Sequence, residues 1–317
     1  MFTLTQLEYI IAVADLRHFG KAAKTCHISQ PTLSQQIQKV EELCSITIFD
    51  RVKKPIVPTV DGEAFIKQAR VIVREHKRLI NFTQQNNHEP SGDFKLAVIP
   101  TVSPSLVPLF IRHFSKEFPK VNLFIDELKT ETIMEELAQD RLDAALMATP
   151  LGNPRFAEDP LYYEAFQLYL SAGHPLLKRK SIHDEDLDGS EMWLLKDGNC
   201  FKDQVLKFCS IRRDDFSILK NVHFQGGTLD TLKEVVRKGS GYTMIPSLMS
   251  ANMNAKEIAD HVRPFASPAP AREISLVYRR DYWKESILRA VKASVLENLP
   301  KAVDKQKSAK LQVLEAC

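Results

Sequence analysis

The chain has 317 residues, 44% of them hydrophobic and 26% charged, which excludes a disordered chain and leaves room for two or three domains. No run of about 18 apolar residues occurs, and the first residues lack the basic-then-apolar layout of a secretory leader, so a cytoplasmic protein away from any membrane is expected. The net charge of +3 is too small to imply nucleic acid by itself, but residues 1–88 hold 12 Lys and Arg against 8 Asp and Glu, a modestly basic module on a near-neutral body.

Leu4, Leu7, Ile10, Ile11 and Ala14 recur at helical spacing, and Phe19, Ala22, Ala23 and Cys26 repeat the pattern after a break at Arg17-His18. A third helix is announced by Ser29 as N-cap and Pro31 in the first turn, with Leu33, Ile37 and Val40 facing inward. Its outer face carries Gln30, Thr32, Ser34, Gln35 and Lys39, side chains suited to base edges and phosphates in a major groove. Two short strands, 46–49 and 56–59, bracket a basic tip with Arg51 and Lys53, which with Lys21 suit phosphates. A solvated polar face is the plainer reading of any one of these residues; the ordered set points to a winged helix-turn-helix over 1–60.

Residues 61–88 predict one long helix with Phe65, Ala69, Ile72, Val73, His76 and Ile80 on a stripe, a seam for pairing with a second copy or for folding back on its own domain. After a linker, strands and helices alternate from Phe94 to Leu299, which predicts βαβ units with a parallel sheet. The expected class is therefore α/β, with a two-lobed domain over 93–300. Lobe I is expected at about 93–164 and 270–300, lobe II at about 165–269, and a loose Lys-rich tail at 301–317.

Five cysteines in a cytoplasmic chain are not expected to be structural staples, and they show no CxxC pair or His-rich spacing, so no metal site and no cofactor is expected. Cys200 follows the turn Asp197-Gly198-Asn199 and opens a helical segment that Cys209 closes. Across a straight helix the two would lie roughly 13 Å apart, whereas a disulfide needs Cα atoms within about 7 Å, so a bond between them would require the helix to melt. A helix opening favours a thiolate, yet Cys200 reads equally as a cap residue without redox chemistry and Cys209 as a small core residue. Cys26 and Cys44 read as packing residues, Cys317 as an exposed thiol without a role, and His223 as a core or loop histidine.

Phe2–Asp61, with His18-Phe19-Gly20-Lys21-Ala22-Ala23, Ser29-Gln30-Pro31-Thr32-Leu33-Ser34-Gln35-Gln36-Ile37 and Phe49-Asp50-Arg51, resembles the DNA-binding module of LysR-type transcriptional regulators. Ile99-Pro100-Thr101-Val102, Asp197-Gly198-Asn199-Cys200, Phe208-Cys209, Gly239-Ser240-Gly241 and Leu276-Val277-Tyr278-Arg279 resemble that family's peroxide-sensing branch. The resemblance implies a periplasmic-binding-protein-like regulatory domain in a tetrameric activator, a dimer of dimers, that binds promoter DNA through Lys21, Gln30, Pro31, Thr32, Ser34, Gln35, Lys39, Arg51 and Lys53. It further implies hydrogen peroxide as the signal, RNA polymerase and a thiol reductant as partners, Cys200 as peroxidatic and Cys209 as resolving thiol. Thr101, Thr130, Asn199, Asp203 and Arg272 then form the peroxide pocket. Asn199 stands where that branch commonly has a His, and an amide cannot take up a proton as imidazole does. Two other readings are a LysR-type regulator with a small metabolite in the inter-lobe cleft, and a thiol peroxidase.

Overall fold

A computed structural model of the chain describes residues 1–84, 89–196, 200–209, 224, 226–282 and 284–316. The chain forms two compact units, 1–88 and 89–317.

In the first unit, α1 (Leu4–Leu16) starts with a capping box between Thr3 and Gln6, and α2 (Phe19–Thr25) starts at His18, whose imidazole accepts the N–H of Gly20 and Lys21. Ser29 caps α3 (Gln30–Cys44) by accepting the N–H of Thr32 at 3.2 Å. Leu33, Ile37 and Val40 of α3 pack with Ile10, Val13, Ala22, Ala23, Ile48 and Phe49. Strands β1 (Phe49–Asp50) and β2 (Val57–Pro58) pair antiparallel as the wing. They are shorter than expected because the backbone bonds of 46–48 go elsewhere: Ile48 donates to the Glu41 carboxylate and accepts from Thr59.

Helix α4 (Val60–Gln84) is the long helix, and it crosses the wing at Gly62, where a Cβ would lie 2.0 Å from the carbonyl oxygen of Ile48. Part of its apolar stripe is covered within the unit, since Phe65, Ala69 and Val73 pack against Phe2, Leu4, Leu7 and Ile11. Ile72 and Leu79 stay exposed, at 40% and 64%.

The second unit is built on a sheet ordered β4-β3-β5-β9-β6-β7, from β3 (Gly92–Val98), β4 (Val121–Glu127), β5 (Ala144–Thr149), β6 (Phe156–Leu170), β7 (Tyr242–Pro246) and β9 (Ala269–Arg279). Short β8 (Val262–Pro264) adds to β6. Among these six strands β3, β4 and β5 run parallel to one another, whereas β5–β9, β6–β9 and β6–β7 are antiparallel, so the expected parallel sheet holds for one part alone. Helices α5 (Ser103–Glu117), α6 (Thr130–Ala138) and α11 (Glu285–Asn298) cover the first core, which includes Phe94, Leu96, Phe110, Phe114 and Val291. Helices α7 (Cys200–Cys209) and α8 (Leu229–Lys238) cover the second, around Phe166, Leu168, Tyr169, Leu232 and Met244. Two short helices, α9 (Ser247–Ser250) and α10 (Ala255–His261), complete the fold. The long strands β6 and β9 belong to both cores: β6 pairs with β9 up to Ala165 and with β7 from Phe166 onward.

The loose tail expected after residue 300 is instead pinned. Tyr163 and Asp304 exchange backbone hydrogen bonds, and β10 (Leu311–Val313) runs parallel to Ala269–Ala271. Strand ends with open N–H and C=O groups draw the Lys-rich segment down through its backbone, whatever its side chains prefer. Ala316 is fully buried.

Candidate redox and DNA-binding sites

Helix α7 places one cysteine at each end. Cys200 and Cys209 are both buried, at 8% and 9% exposure. Phe201, Gln204 and Val205 turn inward between them, and Phe201 meets Phe166 edge to face at 5.1 Å. The helix is thus fastened to the second core along the span that separates the two thiols, which at 1.5 Å per residue is roughly 13 Å.

The two sulfurs differ in environment. Cys209 is a free thiol with its Sγ 3.9 Å from Met244 Sδ, and burial, helped by the Asp184 carboxylate, pushes it up to about 12. At neutral pH it is fully protonated and a poor nucleophile. Cys200 sits where α7 presents its first N–H groups, a position that favours a thiolate in the reduced protein. In this structure Cys200 is disulfide-bonded, and Cys26, Cys44 and Cys209 are free.

Arg272 is 1% exposed and reaches across the unit: Nε donates to Glu164 Oε1 at 2.8 Å, Nη1 to Thr101 Oγ1 at 2.9 Å and Nη2 to the Thr101 carbonyl at 2.9 Å. Its guanidinium carbon lies 5.3 Å from the Phe201 ring centroid, so the cation touches α7 next to Cys200. Two expected pocket residues, Thr101 and Arg272, are therefore brought together. Thr130 opens α6 at the carboxyl end of β4, beside the end of β3 that leads to Thr101, and Asp203 lies half-buried in the first turn of α7. Asn199, His223 and Cys317 lie outside the described residues.

Sequence reading missed Glu164, the counter-ion that neutralises Arg272, and Gln204, whose Nε2 donates to the Leu314 carbonyl at 3.1 Å while its buried Oε1 has no donor among the described residues. Glutamate in a strand reads as surface, and no local pattern joins it to an arginine 108 positions later. A cleft of about 230 Å³ adjoins Thr101, with Pro100 and Ser105 on its side and Thr228, Asp230 and Lys233 opposite. Among the described residues no group of His, Cys, Asp and Glu could hold a metal ion, and no helix is long and apolar enough to cross a membrane.

In the first unit Lys21, Gln30, Pro31, Thr32, Gln35 and Lys39 are exposed, and Ser34 is half-buried. Thr32 shares its hydroxyl with the Ser29 cap at 2.7 Å. Arg51 differs from a free phosphate contact: Nη2 donates to Glu41 at 2.8 Å, Nη1 donates to Ser34 at 3.2 Å, and the guanidinium stands over Phe19. It ties the wing to α3. The Lys53 side chain, at 68% exposure, pairs with Asp50 at 3.7 Å.

Residues 4–63 match the bacterial regulatory helix-turn-helix protein, lysR family, and residues 87–300 match the LysR substrate binding domain. A "hydrogen peroxide-inducible genes activator" of Dickeya chrysanthemi is 35% identical over 87% of this chain and 89% of its own. Among solved structures, a full-length OxyR variant from Pseudomonas aeruginosa superposes with a TM-score of 0.81 at 28% identity, covering 94% of this chain and 99% of that one. A peroxide-bound OxyR variant from Corynebacterium glutamicum gives 0.61 at 25% identity, covering 94% and 92%. From the capped recognition helix to the thiol-ended helix on the second core, the chain belongs to the LysR family of DNA-binding transcriptional regulators, among its OxyR-like members.

Proposed function

We propose that the protein senses hydrogen peroxide through Cys200 and answers by a reversible Cys200–Cys209 disulfide that alters its grip on promoter DNA. The observation that carries the reading is the placement of two buried cysteines at opposite ends of one helix, in a chain whose relatives are named for peroxide-inducible activation. Thiolate at Cys200 attacks one peroxide oxygen, the O–O bond breaks, and the departing hydroxide takes a proton to leave as water, giving the sulfenic acid. The Cys209 sulfur then displaces a second water from Cys200. Thr101 and Thr130 offer hydroxyls to the peroxide, with Asn199 and Asp203 as polar neighbours and Arg272 as a positive charge.

Bond formation cannot leave α7 intact, because sulfurs about 13 Å apart must come within 2.1 Å. Cys209 must leave Met244, and Phe201 and Val205 must leave the second core. Burying each such side chain is worth about 1.5–3 kcal/mol, so the chemistry drives a repacking of lobe II. Exposed Ile72 and Leu79 on α4 support pairing with a second copy, and a tetramer is the assembly through which lobe II would shift the DNA-binding units. RNA polymerase in the cytoplasm and a thiol reductant complete the scheme.

Peptide mapping after mild peroxide tests it: a linked peptide spanning 200 and 209, together with a changed promoter footprint, is expected. A disulfide with the footprint unchanged would reject the switch. A metabolite regulator using the 230 Å³ cleft predicts no such linked peptide.

A further inference from the structure

The chain after residue 300 enters both cores of the second unit and is tied to α7. Val303 and Ala316 are buried in the first core, and Leu314 is buried in the second with Phe201, Val205 and Cys209 of α7. Asp304 exchanges backbone hydrogen bonds with Tyr163, and the Ala302 carbonyl takes the Ser247 hydroxyl at 3.1 Å. Further on, the Lys310 carbonyl takes the Ala269 N–H at 2.8 Å, and the Leu314 N–H donates to the Ala271 carbonyl at 2.9 Å. Strand β5 pairs with β9 as far as Glu273, and β10 takes up Ala269–Ala271 beyond it. The remaining tie is to α7 itself: Gln204, fully buried, donates to the Leu314 carbonyl at 3.1 Å while its Oε1 has no partner among the described residues. A half-satisfied buried amide costs stability, and what it supplies in return is a directed bond from the middle of α7 to this segment.

We propose that residues 310–316 are a strap that holds α7 helical in the reduced protein and lets go when the Cys200–Cys209 bond forms. This rests on the proposed peroxide switch, in which that bond requires α7 to unwind. Gln204 lies between the two cysteines, so unwinding carries its amide away from Leu314 and takes Phe201 and Val205 out of the core that Leu314 shares. What then holds the strap is a three-residue strand on one neighbour, and short strands of that kind open at little cost. The ties at Ala302 and Asp304 involve no residue of α7 and persist. Linkage runs both ways: a strap released by oxidation must oppose oxidation. The strap therefore sets how oxidising the surroundings must be before the switch turns.

Trypsin reads the release and a redox titration reads the opposition, both on the full-length protein. The Lys310 side chain is exposed but its carbonyl is bonded to Ala269, so the 200–209-linked form should be cut after Lys310 at least about tenfold faster than the reduced form. Cleavage after Lys116 in α5, on the first core, should be unchanged. Leu314→Pro removes the N–H that Ala271 accepts. Reduced Leu314→Pro should be cut after Lys310 at the rate of the linked wild type. In dithiothreitol buffers its 200–209 link should form with an equilibrium constant at least about tenfold larger, equivalent to about 30 mV. Leu314→Ala, which removes packing alone, should shift both readouts in the same direction and serves where the proline variant folds poorly. Equal cleavage after Lys310 in the reduced and linked forms, or an unchanged equilibrium constant in both variants, overturns the proposal and leaves the peroxide switch standing. Equal acceleration after Lys116 also overturns it, because the unit then loosens as a whole. No 200–209 link in any buffer or with peroxide overturns both.

Discussion

Arg272 and Glu164 form an ion pair 2.8 Å long with both side chains sealed from solvent, at 1% and 0% exposure. The pair lies where β6 and β9 are still in register, Glu164 opposite Arg272, and each partner holds a further segment: Arg272 the Thr101 loop, Glu164 the Leu248 N–H. Breaking a buried pair from one side costs about 3–5 kcal/mol, whereas replacing both partners by apolar groups is often near neutral. Glu164→Gln should therefore destabilise the full chain by several kcal/mol on that scale, and Glu164→Gln with Arg272→Met by less than Glu164→Gln alone. Urea denaturation of the single and double variants checks this; additive losses would mean that the two charges act independently.

Cys209 makes stability depend on alkaline pH. Its folded thiol is raised from an ordinary value near 9 to about 12, mainly by burial, so the unfolded chain ionises first. The contribution is full below pH 9 and is lost as pH rises from 9 to about 12. The loss over this window is about 4 kcal/mol at most. Reduced wild type should lose more melting temperature over this window than Cys209→Ala. At pH 8 Cys209 should resist iodoacetamide until denaturant is added.

Much of this architecture is legible in the amino-acid sequence because its signals are local. Ser29 and Pro31 announce α3 through capping chemistry, and the 60–84 stripe announces α4 through periodicity. The first half of β6 is not legible: Pro160 interrupts it, Glu158, Asp159 and Glu164 mask its alternation, and its partner β9 comes more than 100 residues later. The thiol pair is legible as a spacing, but its counter-ion and the Gln204–Leu314 contact are not, because they depend on strands joined across the fold. Arg51 reads as a phosphate ligand by composition; its bond to Glu41, ten positions earlier, has no local signal.

Gly62 is required by a close approach. A methyl at this position would sit 2.0 Å from the Ile48 carbonyl oxygen, a backbone atom already bonded to Thr59. Overpacking costs about 1–3 kcal/mol even where side chains can yield, and a backbone contact yields less. Gly62→Ala should lower promoter affinity at least tenfold while leaving peroxide oxidation of Cys200 unchanged, read by fluorescence anisotropy and peptide mapping on the same preparation.

Arg51 and Lys53 should separate in salt dependence. Each phosphate contact contributes a slope of about −0.9 to log affinity against log salt. Lys53→Gln should reduce the slope by about one such increment. Arg51→Gln should weaken binding by loosening the wing from α3, with the slope unchanged, because the guanidinium is committed to Glu41 and Ser34. Equal slope changes for the two variants would return Arg51 to the phosphates.

Gln204→Leu tests what holds the chain after β10 in place. The leucine keeps the volume of a fully buried side chain and removes the orphaned Oε1, which is favourable, but it strands the Leu314 carbonyl without its donor. An unsatisfied buried acceptor costs about 1–3 kcal/mol, and here the cost falls on a short strand that opens on its own. The Leu314 N–H, bonded to the Ala271 carbonyl, should exchange with solvent about 5- to 160-fold faster, the equivalent of that cost, while the amides of β7 in the same core should keep their protection. Hydrogen–deuterium exchange of the reduced protein reads both. Uniform acceleration across the second core would instead make Gln204 a general stabiliser of lobe II, with no particular hold on the β10 segment.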